Sequence, residues 1–208
     1  MQLNFKLEPI CVHNGSGLRL WGYEILLRSP IPNSLLFAVE NPPLDMFIFE
    51  NAMNFLRENG RKNFNYTANL RPSTLEAFGR EIKELTLEIG SKFNLYIELS
   101  ESGGTVPTSS LAGLKIILDD FGQMESNLHR LLTYSPHGIK LEINILEMLK
   151  RDRHMWISNL VNTLKKDGRI VIGEKVETEI EFLTALEMGI TYFQGRLIEK
   201  RLTTDIIQ

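Results

Sequence analysis

The chain has 208 residues, 43% of them hydrophobic and 24% charged, with a net charge of -3 and a single cysteine, Cys11. That length suits one soluble domain with a core that needs no disulfides, and one cysteine excludes an internal disulfide. No Lys/Arg block or basic stripe interleaved with aromatics marks a nucleic-acid surface.

Eight short runs rich in Val, Ile, Leu, Tyr and Phe read as strands: Leu3–Val12, Leu20–Leu27, Phe64–Leu70, Leu95–Leu99, Leu114–Leu118, Gly138–Ile143, Arg169–Gly173 and Tyr192–Ile198. Stretches such as KIIL and IVIG are almost continuously apolar, as expected of strands buried on both faces in a parallel sheet. Helical spacing is predicted over Leu44–Asn59, which stops at Gly60. A second helix is predicted over Ser73–Ile89, with Ser73 and Glu76 as a capping box. Ser126–Tyr134 is shorter, and Asn144–Lys150 with Met155–Lys166 reads as one broken helical connection. Thr178–Met188 carries a second capping box, Thr178 with Glu181, and closes at Gly189. The segment Ser29–Pro43 is proline-rich and predicts a surface excursion, whereas Ser100–Gly113 is short and Gly/Ser-rich where a helix is expected.

Alternating strands and helices predict βαβ units and a parallel sheet. Eight strands predict a (β/α)8 barrel in one domain spanning 1–208, with an open doubly wound sheet as the alternative. The first residues carry Lys6 and Glu8 and do not read as a signal peptide. No apolar run reaches the about 18 residues of a membrane span. A cytoplasmic protein is expected, with no membrane and no DNA or RNA polymer among its partners.

Polar residues recur where the strands end. Glu24 lies in WGYEILLR, Asn69 in NYTANL and Glu98 in LYIELSE. Asp119 and Asp120 close KIILDD, Lys140 lies in GIKLEI, Glu174 follows IVIG, and Gln194 lies in YFQG. Catalytic side chains of such barrels come from the C-terminal ends of several strands. Each residue alone reads as a solvated loop or capping group. Together, carboxylates converging on one rim would repel unless cations were bound, and oxygen donors suit hard ions such as Mg²⁺ or Mn²⁺. The four histidines show no zinc-ligand spacing, and Cys11 reads as buried structure.

In chain order, the segments GYEILLR, ANLRPSTL, IELSES, ILDDFG, IKLE, GEKVET and FQGRLI resemble the motifs of the EAL-domain family, the cyclic di-GMP phosphodiesterases. The resemblance implies a modified TIM (β/α)8 barrel. It also implies two divalent metal ions, magnesium or manganese. Glu24, Asn69, Glu98 and Asp119 would hold one, and Asp119, Asp120 and Glu174 the other. Lys140 would position or polarise the attacking water, with Glu174 a candidate base. Arg28 would contact a phosphate and Glu101 would anchor the loop after Asp120. Glu177 and Gln194 would support the site. The implied reaction is hydrolysis of cyclic di-GMP to the linear dinucleotide in bacterial second-messenger signalling.

The chain also departs from that pattern. The loop after Asp120 reads DFGQMESN, with Met124 in place of a Gly. Glu8 stands for Gln, Lys175 for Gly and Glu142 for Asp. These changes motivate a second hypothesis: a weak or inactive member acting as a cyclic di-GMP sensor or through protein contacts. A homodimer and a regulatory protein partner are the assemblies this leaves open. An unrelated barrel enzyme with another phosphorylated substrate is the third reading.

Overall fold

The computed structural model describes residues 3–32, 36, 38–100, 104–121, 127–143 and 154–205. Its strands are β1 Asn4–His13, β2 Leu18–Arg28, β3 Asn65–Leu70, β4 Asn94–Leu99, β5 Ile116–Leu118, β6 Gly138–Glu142, β7 Ile170–Glu174 and β8 Tyr192–Gln194. Its helices, among the described residues, are α1 Pro42–Asn59, α2 Pro72–Gly90, α3 Thr108–Leu111, α4 Asn127–Tyr134, α5 His154–Lys166, α6 Glu179–Glu187 and α7 Arg196–Asp205. The strands are hydrogen-bonded in chain order, β1 to β8, and close into a barrel. Closure sets aside the open doubly wound sheet.

The expectation of a parallel sheet needs one correction. β3 with β4, β5 with β6, β6 with β7 and β7 with β8 are parallel, but β1 pairs antiparallel with β8, Ile10 opposite Gln194 and Val12 opposite Tyr192. The reason lies in the turn after β1. Asn14 N–H donates to Gly17 C=O at 3.2 Å, and this short reversal cannot supply the dozen residues of a parallel crossover.

Three local expectations change as well. The Ser73–Glu76 capping box does not form: Pro72 occupies the first helical turn and moves the N-cap to Arg71, which makes no side-chain cap bond. The run Tyr192–Ile198 is a strand only to Gln194. Gly195, at φ +137, then turns the chain into α7, a helix the strand-like run concealed. The Gly/Ser-rich crossover keeps a single turn, α3, whose Leu111 is buried. The expected helix over 144–150 lies outside the described residues. The Thr178–Glu181 capping box is present with both bonds.

The chain divides into two compact units, Met1–Leu7 with Tyr23–Ile116, and Glu8–Gly22 with Ile117–Gln208. In the first, α1 and α2 pack on each other, and Phe49, Met53, Leu56, Tyr66, Leu75, Ile82, Ile89 and Ile97 are at most 1% exposed. In the second, Ile10, Ile139, Val161, Ile172, Phe193 and Ile198 are fully buried. Each such aliphatic or aromatic side chain contributes about 1.5–3 kcal/mol on leaving water. These cores hold the strand ends that carry the polar residues. Arg201 ties α7 to α6 through an ion pair with Glu179 and lies 4.4 Å from the centre of the Phe182 ring.

Candidate metal centre

In the first unit, β3 and β4 run in register with Asn69 opposite Glu98. Registered side chains of parallel neighbours share a face, so the amide and the carboxylate are adjacent. Asn69 Nδ2 also donates to Glu24 Oε1 at 2.6 Å. One amide thus stands between two acids. Glu98 is 0% and Glu24 5% exposed, while Asn69 is exposed, so the group has one open side. Burying carboxylates this deeply is unfavourable unless donors or cations compensate them. Arg28 ends β2 as an exposed residue.

Sequence reasoning missed a second polar group in this unit. Arg71, directly after β3, approaches buried Asp45 at 3.6 Å, and the Thr74 hydroxyl donates to the same Asp45 oxygen at 3.1 Å. Burial holds the Asp45 carboxyl above its ordinary range, with Arg71 and Thr74 pulling the other way. Asp45 lies within the apolar-periodic part of α1, which gave no sign of a polar role.

In the second unit, Asp119 and Asp120 follow β5, and Glu174 is the last residue of β7. Each offers one carboxylate oxygen, and the three oxygens lie within 4.8 Å of one another. Two unit charges that close repel by about 3–4 kcal/mol at an effective dielectric of about 20. Asp120 takes φ +51. This turn out of the strand lets two neighbouring acids serve one cluster, which an extended strand would point to opposite faces. Three hard oxygen donors at this spacing fit a divalent cation such as Mg²⁺ or Mn²⁺.

Two lysines border the cluster. Lys140, in the middle of β6 and 1% exposed, brings Nζ to 3.8 Å from Glu174 Oε2. Lys175 Nζ is 2.9 Å from Glu142 Oε2, and Glu142 is the registered partner of Glu174 across β6 and β7. Acids directly opposite each other disfavour the pairing, and Lys175 offsets that repulsion. Burial is the largest influence on the Lys175 ammonium and lowers its pKa. The hydrogen bond and charge of Glu142, with the charges of Glu174 and Asp120, outweigh it and hold the pKa above the ordinary lysine range. Lys175 adopts φ +56. A left-handed conformation costs a non-glycine residue about 1–2 kcal/mol, which a glycine at this place would avoid. The pair Lys175–Glu142 was visible in the sequence only as two separate departures.

The remaining expected residues are placed as follows. Gln194, buried at the end of β8, donates from Nε2 to Glu8 Oε1 at 3.3 Å. Glu177 is exposed and pairs with Arg196 at 3.6 Å. Glu101 and the altered residues 122–126 lie outside the described residues. Cys11 is buried, and burial pushes its thiol up to about 12, as suits a structural residue. No described helix is long and apolar enough to cross a membrane.

The EAL domain family model matches residues 2–201. The cyclic di-GMP phosphodiesterase PdeF of Escherichia coli is 23% identical over 205 residues, covering 86% of this chain and 27% of PdeF. This chain therefore spans about a quarter of that relative's length. The solved structure of Bacillus subtilis YkuI, a protein with an EAL domain in complex with substrate c-di-GMP and calcium, superposes with a TM-score of 0.75 at 20% identity. That match covers 93% of this chain and 54% of YkuI. The manganese/cy-diGMP complex of Klebsiella pneumoniae BlrP1 superposes with a TM-score of 0.76 at 23% identity, covering 95% of this chain and 55% of BlrP1. At these identities the superpositions speak for a shared fold. With the family model matching nearly every residue, the chain belongs to the EAL domain family.

Proposed function

We propose that this chain hydrolyses one phosphodiester bond of cyclic di-GMP, giving the linear dinucleotide, as a single cytoplasmic EAL-type domain over 1–208. The observation that carries the reading is the Asp119, Asp120 and Glu174 cluster, with carboxylate oxygens within 4.8 Å of one another and Lys140 at its edge, in a chain of this family. The proposed metal ligands are Glu24, Asn69 and Glu98 of the first unit and Asp119, Asp120 and Glu174 of the second. Two bound ions, magnesium or manganese, would supply Lewis-acid charge to the phosphoryl group and make water a competent nucleophile near neutral pH.

The chain's own groups have defined tasks in this reading. Arg28 offers a planar fork to a phosphate. Lys140 orients the attacking water through its buried ammonium. Glu174 takes a proton from that water as its oxygen bonds to phosphorus. The bond from phosphorus to one sugar oxygen then breaks, and the departing oxygen takes up the proton. Glu101, Glu177 and Gln194 support the surrounding loops.

Purified chain should linearise cyclic di-GMP with Mn²⁺ or Mg²⁺, and Glu24→Ala should lower turnover by about a thousandfold or more. Absence of turnover across both metals and a range of pH sinks the reading. A second reading, a cyclic di-GMP sensor, is favoured by the strained Lys175 beside Glu174. Calorimetry that finds tight cyclic di-GMP binding together with no turnover selects it.

A further inference from the structure

The ion pair between Lys175 and Glu142 has no task in the proposed hydrolysis, and both of its residues depart from the EAL pattern. We propose that Lys175 is a built-in counter-ion that weakens divalent-cation binding at the Asp119, Asp120 and Glu174 cluster, so that this position fills only at high free metal. The inference rests on the reading of that cluster as a cation site.

Three observations carry it. Lys175 directly follows Glu174, yet its ammonium is held 2.9 Å from a carboxylate of the neighbouring strand. That carboxylate belongs to Glu142, which stands in register with Glu174, so the positive charge is anchored at the flank of the cluster. The anchoring occurs at φ +56, a conformation that a glycine would occupy without strain. Strain of this kind persists where surrounding contacts fix the residue, and the ion pair is such a contact.

The electrostatic consequence has a definite sign. An arriving divalent cation meets a fixed ammonium of like charge and also loses the attraction of Glu142, which Lys175 neutralises. Lys140 is a second ammonium 3.8 Å from Glu174, but it is buried. Lys175 has a side chain 52% exposed, so it can be changed without opening the core.

The test is a titration of the full chain with Mn²⁺, read by electron paramagnetic resonance of free manganese and by calorimetry. Three variants are compared with the parent: Lys175→Met, Lys175→Arg and Lys175→Gly. Methionine removes the charge and retains the backbone strain, glycine removes both, and arginine retains both. Lys175→Met and Lys175→Gly should tighten the weaker manganese site by roughly tenfold, on the order expected for one unit charge a few ångströms from a divalent ion. Lys175→Arg should match the parent. Equal or weaker binding in both uncharged variants, with manganese still bound by the parent, overturns this proposal alone. Failure of the parent and every variant to bind manganese overturns both this proposal and the cation-site reading beneath it.

Discussion

The two units surround the acids of their candidate sites differently. In the first, Glu24 and Glu98 are joined by a neutral amide, Asn69, which donates to one and stands in register with the other. In the second, Glu174 and its registered neighbour Glu142 are each approached by an ammonium, from Lys140 and Lys175. An amide leaves the negative charge of its site intact. An ammonium cancels part of it before any metal arrives. If both groups are cation sites, as proposed, the ammonium groups beside Glu174 and Glu142 give up part of the second group's attraction for a cation, and the amide of Asn69 does not do so in the first.

The largest expected effect comes from breaking the second unit's cluster. Asp119→Ala should lower cyclic di-GMP turnover by about a thousandfold or more, measured by chromatography of the linear product. Retention of more than a tenth of the parent rate would remove Asp119 from the ligand set. Next is Gly195→Ala. A Cβ there would meet the backbone of Val176 at 2.4 Å and 2.6 Å, in a conformation that strains any side chain. A loss of about 2 kcal/mol, or roughly 4–8 °C in Tm, is expected by calorimetry. Faster hydrogen exchange should accompany it over residues 174–198.

Asn69→Asp makes the Glu24, Asn69 and Glu98 group of the first unit purely acidic. Its metal-free Tm should fall by roughly 3 °C for each 1 kcal/mol of added repulsion, and Mn²⁺ should restore more stability than in the parent. A variant indifferent to Mn²⁺ would show that this group holds no cation. Thr178→Ala removes the capping box of α6 and should cost about 1 kcal/mol, seen as a downward shift of the denaturation midpoint.

The smallest effect concerns Asp45. Its folded pKa lies above the unfolded value of about 3.9, so its contribution to stability is present at low pH and is lost as pH rises through the folded pKa. Asp45→Asn should flatten the slope of Tm against pH just above pH 4. An unchanged slope would assign the pH dependence elsewhere.

Much of this was legible in the sequence because strand ends and turn residues are local signals. All eight strands were found, most within two residues, and Thr178 with Glu181 announced the cap of α6. The antiparallel direction of β1 was not legible, because an apolar run carries no sign of its direction. Helix α7 was hidden because Leu197 and Ile198 extend the apolar run past Gly195, and only the backbone there reveals the turn. The acids of the site were visible as residue types at strand ends. Their partners were not, since the approach of Lys175 to Glu142 depends on the register of β6 with β7.

The antiparallel seam between β1 and β8 has a consequence for the order of folding. Its partners, such as Ile10 and Gln194, come from opposite ends of the described chain. Long loops are entropically costly to close, so such contacts form late. The first unit draws on the nearly continuous span Tyr23–Ile116, and a ribosome completes that span long before β8 emerges. Glu24, Asn69 and Glu98 can therefore meet during synthesis. The lysine-flanked acids, carried at the ends of β5, β6 and β7, come together only once Lys175 has been added.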